Sequence, residues 1–147
     1  MAPRNLLSVL LLVGMGVQAA CTDSLVPGAT EPLALTVQTR PPVAGERLPV
    51  LEVTGHAGTV RVQVARPDLA CTLAEASVGR VAGTLTVVAR VSGDPAALCA
   101  GGFVVEYAGL IEDLASGQYR VRIYEAVGSG RPRLLGTRTV TVLAPDA

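Results

Sequence analysis

Lysine and tryptophan are absent from this 147-residue chain, which has one histidine and one phenylalanine. Every one of its twelve basic residues is arginine, and twelve acidic residues bring the formal net charge to zero. With no basic block there is no electrostatic footprint for nucleic acid. The four aromatics, Phe103, Tyr107, Tyr119 and Tyr124, are too few to fill a core, so valine, leucine and alanine must do it. Valine is β-branched and favours strands. The sole histidine, His56, lies in a glycine-flanked turn with no acid beside it, which marks an exposed turn residue rather than a metal ligand or catalytic base. GxSxG, P-loop, GxGxxG and HExxH patterns are missing, so no catalytic residue and no cofactor is assigned. Neither Cys71 nor Cys99 falls in a CxxC, which excludes a zinc-knuckle spacing. Glu112 and Asp113 are adjacent carboxylates. In an extended segment they diverge, so they read as a solvated turn rather than a cation site.

What is present begins with an export signal over residues 1–20. Arg4 supplies positive charge, Leu6 to Val17 is apolar, and Ala19 and Ala20 form a small-residue cleavage zone. The apolar run is shorter than the roughly twenty residues that span a bilayer. Small residues followed directly by Cys21 resemble the bacterial lipobox, with Gln18 where that family usually has leucine. The resemblance implies that Cys21 becomes a lipidated N-terminus on a cell-envelope membrane. Ordinary cleavage nearby, giving a secreted or periplasmic protein, is the alternative. If Cys21 carries lipid, Cys71 and Cys99 remain as a pair in an oxidising compartment. Closing that loop would stabilise the fold by roughly 3–4 kcal/mol; two buried thiols are the other outcome.

Residues 21–32 hold Pro27, Gly28 and Pro32 without hydrophobic periodicity and read as a flexible tether. From residue 33 to 147 the pattern is period two. Strands are expected over Leu33–Thr39, Pro49–Thr54, Thr59–Ala65, Gly83–Val91, Phe103–Tyr107, Gly117–Glu125 and Leu134–Leu143. Val60, Val62 and Val64 should face inward, as should Leu85, Val87, Ala89 and Val91. Gly55 to Gly58 should turn the second strand into the third as a hairpin. Phe103, Val105 and Tyr107 should share a face. Asp68 to Gly79 reads as a connection in which Thr72 to Ala76 makes one helical turn. Arg138 shares parity with Val140 and Val142. Either a bulge at Gly136 resets the phase, or Arg138 lies near the open end of the sheet.

About seven strands with regularly spaced turns predict an all-β, antiparallel sandwich. Leu114, Gly117 and Tyr119, a leucine and a glycine ahead of a strand-opening tyrosine, resemble the tyrosine corner of immunoglobulin-like and fibronectin III-like domains. That family implies a Tyr119 hydroxyl bonded to backbone upstream. Transthyretin-like sandwiches are the rival topology. Val121 stands where antibody domains carry a cysteine, so their inter-sheet disulfide is missing. Arg61, Arg90, Arg120, Arg122 and Tyr124 are read as outward-facing, beside Glu106 and Glu125, and form the candidate binding face. The expected protein is thus a non-catalytic, membrane-anchored envelope lipoprotein whose partner is another envelope protein or a glycan. The alternative is a soluble secreted module that binds a small ligand or acts as an inhibitor through its loops.

Overall fold

The computed structural model describes residues 31–94 and 102–145. The expected export segment, Cys21, most of the expected tether and Cys99 lie outside the described residues. Among those described there is no helix; nine strands form two facing sheets. They are β1 (Glu31–Leu33), β2 (Leu35–Arg40), β3 (Val50–His56), β4 (Thr59–Pro67), β5 (Thr72–Val81), β6 (Thr84–Gly93), β7 (Val104–Ile111), β8 (Gly117–Val127) and β9 (Arg133–Val142). One sheet runs β1-β5-β6-β8-β9 and the other β2-β7-β4-β3.

The core is the product of period-two valines. Val60, Val62 and Val64 of β4 and Leu85, Val87, Ala89 and Val91 of β6 are all buried, and Val121 and Ile123 of β8, beside Leu85 and Val87 in register, belong to the same core. The expected hairpin exists: β3 and β4 pair antiparallel from Val50↔Ala65 to His56↔Thr59, with Gly58 turning at φ +67°. A two-residue turn, Ala82 and Gly83, both at positive φ, joins β5 to β6, the geometry that matches strand twist in tight hairpins.

Several expectations are corrected. The segment read as a connection with a helical turn is strand β5, paired with β6 over its whole length from Thr72↔Gly93 to Val81↔Thr84. Cross-strand pairing outweighs the weak helical preference of Leu73-Ala74-Glu75-Ala76. The first expected strand is two strands in different sheets: β1 pairs β5 and β2 pairs β7, with Ala34 at the crossing. Glu31 and Pro32 belong to β1 rather than the tether. Val37 is consequently exposed while Leu33 is buried. Phe103 precedes β7 and is exposed, although Val105 and Tyr107 are buried as expected. The sheets are not wholly antiparallel, because β6 and β8 run parallel, Thr84↔Arg120 through Val91↔Val127. Sequence-adjacent β7 lies in the opposite sheet, so the β6–β8 connection is a crossover rather than a hairpin.

The bulge in β9 falls at Leu135, where Ile123 pairs Gly136 but Tyr124 pairs Leu134. It lies upstream of Arg138 and leaves it in phase with Val140 and Val142. Arg138 is exposed because β9 is an edge strand. At this edge β3 and β9 come together: Gly58 N donates to Leu143 O at 3.0 Å and Leu143 N to His56 O at 3.2 Å. A Cβ at Gly55 would run into the Thr141 carbonyl, so only glycine permits the approach.

Candidate functional site

The structure divides the expected arginine face between the two sheets. Arg90 on β6 and Arg120, Arg122 and Tyr124 on β8 share the outer face of the five-stranded sheet. Arg61, on β4, belongs to the outer face of the four-stranded sheet. Glu125 is also reassigned. It continues the parity of Tyr119, Val121 and Ile123, so it points into the sandwich, not outward beside the arginines.

On the five-stranded face, strand register sets the side chains in rows. Arg120 lies between Thr84 and Thr139, and Arg122 between Thr86 and Thr137. The next row is Val88, Tyr124 and Leu134, with Leu134 exposed. Arg90 faces Glu75 in register and donates Nη1 to Gly128 O at 2.5 Å. Among the described residues, Arg120 and Arg122 form no ion pair. Two uncompensated cations beside an apolar row with a tyrosine have the composition of an anion-accepting contact surface.

The opposite outer face carries a polar network across three strands. Arg40 of β2 donates Nε to Glu106 of β7 at 2.5 Å and is also bonded to Glu46 in the β2–β3 loop. Gln63 of β4 donates Nε2 to Glu106 at 3.5 Å and accepts from Arg61 Nη2 at 3.2 Å. The bonds to Glu46 and Glu106 push the Arg40 pKa up, and Arg40 in turn holds the Glu46 carboxyl below its usual range. Beside this network is a depression of about 400 Å³ over Ala108. A smaller hollow beyond Arg61 reaches His56, which is exposed at the end of β3. Glu112 and Asp113 are exposed in the turn after β7, where the Glu112 carbonyl accepts Arg80 Nη1 at 2.8 Å. Among the described residues no group of three metal-ligating side chains converges.

The interior holds a polar group that outward-face reasoning missed. Arg66 Nη1 lies 2.5 Å from Glu125 Oε1, and the Tyr107 hydroxyl donates to Glu125 Oε2 at 2.6 Å. Burial pushes the Tyr107 pKa up, and the bond to Glu125 adds to it. The signal was in the parity: Arg66 continues Val60, Val62 and Val64, as Glu125 continues Ile123. At the corner, the Tyr119 hydroxyl donates to Ala115 O at 3.0 Å. Leu114 is buried and its N–H donates to Gly58 O at 3.0 Å. Gly117 opens β8 at φ +152°.

Cys71 occupies the turn before β5, where Ala70 and Cys71 both have positive φ. Asp68 organises this turn, accepting from Cys71 N at 3.3 Å, Thr72 N at 2.9 Å and Thr72 Oγ1 at 2.5 Å. These bonds, the Thr72 hydroxyl first, lower the Asp68 pKa.

No protein-family model matches the chain, and neither the curated proteins nor the solved structures include a match to it.

Proposed function

We propose that this chain is an exported bacterial envelope lipoprotein, anchored through Cys21, whose immunoglobulin-like domain binds a partner rather than catalyses a reaction. The address is supported by the signal-like residues 1–20 and the small residues before Cys21. The immunoglobulin-like assignment is supported by two facing sheets and by the Tyr119–Ala115 bond closing the turn before β8. We assign Cys71, in the turn before β5, a disulfide to Cys99 on the ground that an oxidising compartment favours pairing of the two cysteines left once Cys21 carries lipid.

The observation that carries the binding role is the pair Arg120 and Arg122, with no acid in register and an apolar row including Tyr124 alongside. Such a face suits an acidic patch on another envelope protein. The test is site-specific photocrosslinking from position 124 in intact envelopes. A discrete adduct that disappears in the Arg120→Ala, Arg122→Ala double variant is expected; no adduct, or one indifferent to both arginines, would count against the role. Intact mass of the mature protein tests the address. It should begin at Cys21 with an added diacylglyceryl group and show two further thiols only after reduction. A lipid-free mass starting elsewhere would instead favour the secreted module.

A further inference from the structure

We propose that the depression over Ala108, on the face opposite the arginine rows, is a binding site for a short neutral saccharide. Its shape follows from register. Ala108 sits on β7 with Thr36 of β2 and Gln63 of β4 as its cross-strand partners, and with Glu106 and Leu110 two residues either way along its own strand. Gln38 and Arg61 occupy diagonal positions. A methyl group surrounded by longer side chains leaves a hollow in the sheet surface. At about 400 Å³ the hollow is within the range of small-ligand pockets, about 300–1,000 Å³.

The chemistry of the wall selects the ligand. Amide, carboxylate, guanidinium and hydroxyl groups together offer donors and acceptors in one small space. Sugar hydroxyls both donate and accept, and neighbouring hydroxyls on a ring match planar groups such as Gln63, Glu106 and Arg61. A free anion is a poorer fit, because Glu106 and Glu112 both line the hollow. A bare cation is opposed by Arg61, and an apolar ligand would leave the polar wall unpaired. Exposed Leu110 supplies a surface for the C–H face of a ring.

The wall is also held in place before a ligand arrives. Glu106 is fixed by Arg40, which Glu46 fixes in turn, and Gln63 is fixed between Glu106 and Arg61. Meanwhile Thr36 and Gln38 make no side-chain hydrogen bond among the described residues, so their capacity is free for a ligand. Preorganised polar groups lose little entropy on binding. The site is independent of the cationic face and stands whether or not that face has a partner.

The test is an NMR titration of the isotope-labelled full chain with maltotriose, cellotriose and chitotriose, and with inorganic phosphate as a control. At least one trisaccharide should shift the backbone amides of β2, β4 and β7 saturably at millimolar or lower concentration. Ala108→Phe, which fills the hollow, should weaken that binding by about tenfold or more while leaving amide shifts of the five-stranded sheet in place. Gln63→Ala, a second variant that removes wall contacts without adding bulk, should also weaken it. The proposal is overturned if no trisaccharide gives saturable shifts on these strands, if phosphate alone does so, or if binding survives both substitutions.

Discussion

Arg66 Nη1 and Glu125 Oε1 meet at 2.5 Å across the space between the two sheets, with both side chains about nine-tenths buried. Tyr107 completes the group from β7, so one carboxylate ties β4, β7 and β8 together. Removing one member leaves a buried charge alone, which typically costs about 3–5 kcal/mol. Glu125→Ala and Arg66→Ala should each destabilise by that order in urea unfolding. Replacing both, as Arg66→Met with Glu125→Leu in a Tyr107→Phe background that leaves no buried hydroxyl without its acceptor, should recover most of the loss. A double variant as unstable as either single one would show that the pair is not the source of the effect.

Tyr119→Phe removes only the hydroxyl that reaches Ala115 O. The ring stays half-buried against the core. A loss of roughly 0.5–1.5 kcal/mol is expected, seen as a lower denaturation midpoint with an unchanged slope. A neutral result would mean that solvent replaces the bond without loss.

Asp68 links stability to acid. Its folded-state pKa is lowered, chiefly by the Thr72 hydroxyl. A group depressed in the folded state binds protons more readily in the unfolded state, so its contribution is present above the unfolded value and is lost as pH falls through the folded one. The wild-type protein should therefore lose stability progressively below about pH 4. Asp68→Asn should be less stable at neutral pH and show a shallower acid loss over the same window. Thermal melts at closely spaced pH values would measure both.

The β5–β6 turn offers a stabilising change. Ala82 sits at φ +43° ahead of Gly83 at +75°, a conformation that costs an L-residue with a Cβ roughly 1–2 kcal/mol. Asparagine tolerates it better, and Asn-Gly is a preferred pair in such hairpins. Ala82→Asn should raise the melting temperature by a few degrees, corresponding to about 0.5–1 kcal/mol. A lower melting temperature would refute the assignment of strain to this residue.

The clean alternations were readable because each side chain reports its own strand. Val60, Val62 and Val64, or Leu85 through Val91, need no partner to declare which way they face. Strand β5 was hidden because its outer positions include exposed Leu73 and Val81, which blur the period. Arg66 and Glu125 lie on readable parities, yet a charged residue invites the opposite assignment until its counter-ion is known. Arg61 was grouped with Arg120 and Arg122 because periodicity gives a face without saying which sheet owns it. The depression over Ala108 was illegible for a related reason. Thr36, Gln63 and Ala108 become neighbours only through the β2-β7-β4 order, which no local pattern contains.

The chain passes between the two sheets four times, after β1, β4, β6 and β7. Strand β7, in one layer, separates β6 from β8 in the other along the chain, and consecutive strands β1 and β2 belong to different layers. Neither layer is a contiguous stretch of polypeptide, so neither can be completed from its own segment and then wait for the other. Assembly is therefore expected to be slow, governed by distant pairings, and to proceed as a single all-or-none transition. A truncation that removes β9 or β1 strips an edge from one layer and also loosens its neighbour. In proteolysis experiments the domain should then be lost as a whole rather than trimmed to a stable half.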